Sequence, residues 1–120
     1  MARTQTISGE LRQYDCPDWE PLFDLIGREL VEWFMWMNEV ELADGLRVHA
    51  YKHIATRRYL HLTAAGRAFA YTGSGRYREI SLVAAIDEAF TGWDDLAPEP
   101  SDPAAVQAAL RRARAAAAEP

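Results

Sequence analysis

Between Met35 and Thr72 the chain reads MWMNEVELADGLRVHAYKHIATRRYLHLTAAGRAFAYT, and this stretch decides the fold. Apolar and polar residues alternate with the period of half-buried strands. The alternation is broken at 43–45 (Ala-Asp-Gly), 54–56 (Ile-Ala-Thr) and 64–66 (Ala-Ala-Gly). The pattern predicts four strands: Met35 to Leu42, Leu46 to His53, Arg57 to Thr63 and Arg67 to Thr72. Gly73-Ser74-Gly75 marks a further turn, and Tyr77 to Ile80 reads as a short fifth strand.

Register follows from keeping apolar residues together, because a one-residue slip turns every side chain to the other face. A three-residue turn at 43–45 pairs Val40 with Val48. The same turn length at 54–56 pairs Tyr51 with Tyr59, His49 with His61 and Ala50 with Leu60; at 64–66 it pairs His61 with Phe69. One face then holds Val40, Leu42, Leu46, Val48, Ala50, Leu60, Leu62, Ala68 and Ala70, the expected core. The other holds Arg47, His49, Tyr51, His53, Arg57, Tyr59, His61, Arg67, Phe69 and Tyr71, edged by Glu39 and Glu41.

Outward from the strands, the period lengthens. Trp19, Leu22, Phe23, Ile26, Leu30, Trp33 and Phe34 recur at helical spacing after Asp15, Pro17 and Asp18, with Gly27 inside the pattern. Ser81 caps a second helix whose stripe is Leu82, Val83, Ile86, Ala89 and Phe90, ended by Gly92. Residues 1–15 read as a flexible arm or edge strand, and 16–96 as one α+β domain. Its helices pack on one side of a four- to five-stranded antiparallel meander. Residues 97–103 form a Pro-rich linker, and 104–120 an Ala/Arg-rich helical tail that frays or docks on a partner.

Composition bounds the function. The 120 residues carry 13 Lys+Arg against 18 Asp+Glu, about half are apolar, and four are Trp. That content is too apolar for disorder. The lone Cys16 excludes a disulfide framework and has no neighbouring base or cation to activate it. No apolar run reaches the roughly 20 residues of a spanning helix, and residues 1–15 lack a signal peptide's apolar core. A cytoplasmic protein without membrane contact is expected. The charges are segregated: residues 46–79 hold seven of the basic residues, one acid and all three His. An anionic partner could read such a patch.

The second face is unusual for a solvated sheet. Arg47, His49, Tyr51, Arg57, Tyr59, His61, Arg67, Phe69 and Tyr71 are the candidate binding residues. Tyr and Arg suit protein interfaces, so the first expectation is a non-enzymatic interaction module, with a homodimer among its complexes. The alternative is nucleic acid: aromatics stack bases and cations track phosphates, and a sheet can also lie in the DNA major groove. Arg67-Ala68-Phe69-Ala70-Tyr71 approaches a sheet-borne RNA-binding pattern, but Ala68 replaces its Gly and the strand order differs. A third reading, metal-free ribonuclease chemistry, would use His49 and His61 as acid and base. No cofactor, metal or catalytic motif is expected: Gly73-Ser74-Gly75 lacks the Lys and helix of a phosphate loop, and Asp94-Asp95 reads as a solvated turn.

Overall fold

The structure, a computed structural model, describes residues 4–13, 17–93 and 103–118. Cys16, Asp15, Asp94, Asp95 and residues 97–102 of the expected linker lie outside the described residues. In chain order the elements are β1 (Thr4–Gln13), α1 (Glu20–Ile26), α2 (Arg28–Val31), β2 (Phe34–Leu42) and β3 (Arg47–His53). They continue with β4 (Tyr59–Leu62), β5 (Ala68–Gly73), β6 (Arg76–Ile80), α3 (Leu82–Ala89) and α4 (Pro103–Ala118). The class is α+β, as the alternating and helical periods imply.

The sheet has six strands rather than four or five, and it closes into an antiparallel barrel. The sixth is β1, the segment expected as an arm or edge. It pairs with β2 along one side and with β6 along the other, so neither edge is left open. Two register shifts against β2 explain why its sequence hides it: each breaks the alternation that marks a strand.

Two apolar clusters lie on the two sides of this curled sheet. Outside, Leu22, Ile26 and Leu30 from α1 and α2 and Ile86 and Ala89 from α3 pack on Trp36, Tyr51, Leu60, Leu62 and Ala68. Inside, Val40, Leu42, Val48, Phe69 and Tyr77 meet. Ser81 caps α3 as expected, its hydroxyl accepting from the Ala84 N–H at 3.1 Å. The first helix is broken by Gly27, whose φ of 82° and ψ of 172° divide α1 from α2. Trp19 and Phe23, expected in its buried stripe, are exposed. Residues 103–118 of the tail form α4, which docks on the chain's own core. Val106, Ala109 and Ala113 of α4 are buried in the outer core, and Arg112 and Arg114 pair with Glu29 and Asp87.

From Asn38 to Glu41 the β2–β3 register is the expected one: Val40 faces Val48, Glu39 faces His49 and Glu41 faces Arg47; a shift between Trp36 and Asn38 then sets Trp36 against Tyr51, on the other side of the sheet from Val40. So is β4–β5, where His61 faces Phe69 and Leu62 faces Ala68. The hairpin between them slips by one residue. Tyr51 faces Leu60, Ala50 faces His61 and His49 faces Leu62. The cause is local. The His53 N–H donates to the Arg58 carbonyl and the Arg57 N–H to the His53 carbonyl, so the turn holds residues 54–57 instead of 54–56. Arg57 sits at φ 64°, a left-handed conformation its side chain does not announce.

Candidate functional site

That slip cuts the predicted face in two. Its β2–β3 half turns outward, under α1; its β4–β5 half turns into the barrel.

On the outer side, His49 and Tyr51 are buried. The Trp36 indole N–H donates to His49 Nδ1 at 3.3 Å, so neutral His49 carries its proton on Nε2. That nitrogen lies 3.7 Å from Glu39 Oε2 and 3.8 Å from Asp18 Oδ2. The Tyr51 hydroxyl donates to the Asp18 carbonyl at 2.6 Å, and the Trp19 ring lies 6.0 Å from the Tyr51 ring. These contacts fasten the entry to α1 onto β3. Arg47 and Arg57 are exposed and reach neither half of the site. His49 and His61 occupy opposite faces, which removes the shared proton or shared metal that direct opposition would have allowed. No cluster of three or more His, Cys, Asp or Glu suited to a metal occurs among the described residues.

His53 is fully buried among Trp33, Phe34, Phe90 and Trp93. Its Nδ1 accepts from the Ala55 and Thr56 N–H groups at 3.0 and 3.2 Å. Its Nε2 and the Trp33 indole nitrogen are buried without partners among the described residues. Burial pushes the His53 pKa down to about 4.

The inner half forms a cavity of about 950 Å³. Val40, Ala50, His61, Phe69 and Tyr77 line its depth, and Tyr59 and Tyr71 its mouth. It exists because β4 and β5 share only the pairs His61–Phe69 and Leu62–Ala68 before they part. The lining therefore extends to Ala84 and Glu88 of α3. Aromatic rings meet along the wall. His61 stacks on Tyr59 at 5.6 Å and 11° and meets the Tyr77 edge at 5.3 Å; Tyr71 meets Tyr77 at 5.1 Å. The Tyr71 hydroxyl is held by the Gly75 N–H at 2.9 Å.

His61 is a titratable group in the depth of this wall. It is only 7% exposed, and its ring nitrogens make no hydrogen bond among the described residues. Burial lowers its pKa from 6.5 to about 4, so at neutral pH the ring is uncharged, with one donor and one acceptor nitrogen.

Arg67, a candidate binding residue, is engaged within the chain. Its guanidinium grips the Glu79 carboxylate through two hydrogen bonds of 2.8 and 2.7 Å and lies over the Phe69 ring. The pair raises the Arg67 pKa and lowers that of Glu79. Of the candidate binding residues, Tyr59, His61, Phe69 and Tyr71 line one cavity. The sequence reading missed Tyr77 and Arg78 of β6, which line the same cavity. The pairing of Tyr77 with Tyr71 carried the signal for Tyr77; Arg78 stands on the other face of β6, opposite Ala70, and no alternation marked it.

Compared with protein-family models, curated proteins and solved structures, the chain matches none. No helix among the described residues is long and apolar enough to cross a membrane.

Proposed function

We propose that this protein is a small-molecule binding module whose barrel cavity holds a flat, largely apolar ligand between aromatic walls. The observation that carries the reading is His61: buried, uncharged, without a hydrogen-bond partner among the described residues, and set in the wall of the cavity. Groups of this kind orient a ligand, while the apolar wall supplies affinity. The volume of about 950 Å³ is at the upper end of the roughly 300–1,000 Å³ typical of ligand sites. Barrel mouths are common places for such sites.

The test is a screen of flat aromatic fragments by NMR on protein with ¹⁵N-labelled histidine. Binding should shift the His61 ring resonances, and Ala50→Trp, which fills the cavity, should abolish the shift. A screen that leaves His61 unmoved overturns the reading.

A second reading has its own support. Tyr59 and Tyr71 are 40% and 51% exposed at the mouth, where an unstacked base of single-stranded nucleic acid could insert. Anisotropy of labelled oligonucleotides separates the two, since nucleic-acid binding weakens steeply with salt. The divided face supports self-association less well, because His49, Tyr51 and Phe69 are buried within the chain's own fold.

A further inference from the structure

The charges around the cavity restrict what enters it. Among the described residues three charged side chains line it: Arg58, Arg78 and Glu88. Arg58 and Glu88 hold each other at 2.8 Å. Arg78 is exposed and makes no ion pair among the described residues. Among the described residues the lining therefore carries one uncompensated positive charge, on the exposed Arg78. Deeper in lies the uncharged His61, beside Phe69 and Tyr77.

We infer that the ligand is a flat aromatic acid: fused rings held between Tyr59, Tyr71 and Tyr77, with a single carboxylate on Arg78. The inference rests on the small-molecule reading above and adds the ligand's chemical class. Flat rings suit the wall because offset and edge-on aromatic contacts are favourable. A cation would meet Arg78 with no unpaired carboxylate to receive it. A sugar would leave most of its hydroxyls without partners against Val40, Ala50 and Phe69. One guanidinium matches one carboxylate through paired hydrogen bonds. A phosphate dianion would remain half compensated, which disfavours a nucleotide. His61 can accept from, or donate to, a heteroatom at the buried end of the ring system.

The test uses 1-pyrenebutyrate and its neutral counterpart 1-pyrenebutanol, each titrated with the full chain and read by fluorescence anisotropy. The acid should bind about tenfold more tightly than the alcohol. Arg78→Gln, at an exposed strand position, should remove that advantage, bringing the acid to within about twofold of the alcohol. Occupancy is placed independently by the ¹⁵N shift of His61 in the wild-type protein, so the result does not depend on a cavity-filling variant that folds. Equal binding of acid and alcohol, with His61 shifted by both, overturns the acid assignment and keeps the cavity reading. Failure of both probes to bind, or binding that leaves His61 unmoved, overturns the two together. Tighter binding of adenosine monophosphate than of 1-pyrenebutyrate overturns the choice of carboxylate over phosphate.

Discussion

The Tyr59 and His61 rings lie nearly parallel, 11° apart with centroids 5.6 Å from each other, on the same side of β4. Tyr77 closes on His61 edge-on from across the barrel. His61 is therefore fixed by ring contacts and not by hydrogen bonds. His61→Phe keeps the rings and removes two nitrogens that lack partners. Replacing a polar group that makes no hydrogen bond within the protein by an apolar one of similar shape is close to neutral or stabilising. The expected result is an unchanged or higher urea midpoint, by up to about 1 kcal/mol, together with weaker binding of ligands that contact the nitrogens. A loss of stability larger than that would mean that His61 has a structural partner and is not reserved for a ligand.

His53 and His61 make stability depend on pH in a definite direction. Burial lowers both pKa values from 6.5 to about 4. The unfolded chain takes up protons at these positions near pH 6.5, while the folded chain resists until about pH 4. Stability is then full above pH 6.5 and falls as the pH drops toward 4. Each shift corresponds to roughly 3 kcal/mol at the low end. Urea unfolding at about pH 7.5, 5.5 and 4.5 should show the midpoint falling stepwise. In His61→Phe the fall should be about half as large. A midpoint that is flat over this range would rule out two buried, uncharged imidazoles.

Thr56 is the residue that sets the β3–β4 turn. Its hydroxyl donates to the Ala89 carbonyl of α3 at 2.7 Å and accepts from the Arg58 N–H at 3.2 Å. Thr56→Val keeps the shape and strands both partners, at a cost of about 1–3 kcal/mol. Because the turn carries the register, hydrogen exchange should quicken in β3 and β4 more than in β1. Uniform exchange across the barrel would show that Thr56 only anchors α3.

This turn also marks where the sequence stops being readable. Val40 against Val48 and His61 against Phe69 follow from apolar alternation and from turns that contain Gly45 and Gly66, both at positive φ. The 54–57 turn has no glycine, and Arg57 takes the left-handed conformation instead. Its extra residue depends on side-chain bonds from His53 and Thr56 to backbone that no period encodes. One residue there was enough to separate Tyr51 from Tyr59 and to turn an expected surface into the wall of a cavity. Barrel closure was hidden for a related reason: the register shifts in β1 scramble its alternation, and its pairing with β6 joins segments about seventy residues apart.

Gly27 offers the sharpest test of the helical side. Its φ of 82° and ψ of 172° fall in a region open essentially to glycine alone. A Cβ placed there would meet only Glu29 Oε2, at 3.5 Å, so crowding is not the obstacle. The cost of Gly27→Ala is therefore backbone strain, about 1–3 kcal/mol. Alternatively, the break heals and α1 and α2 merge into one helix. Merging would rotate Leu30 relative to Leu22 and Ile26, which now share the outer core, and disturb the contact of Glu29 with Arg112 on α4. Both routes lower stability, but merging would also raise helical circular dichroism. Gly9→Ala in β1 is the control, since a Cβ there meets nothing within 4 Å and no positive φ is required. Its unfolding midpoint should stay within about 0.5 kcal/mol of wild type. Equal effects of the two substitutions would mean that the break at Gly27 is not what places α2 and α4.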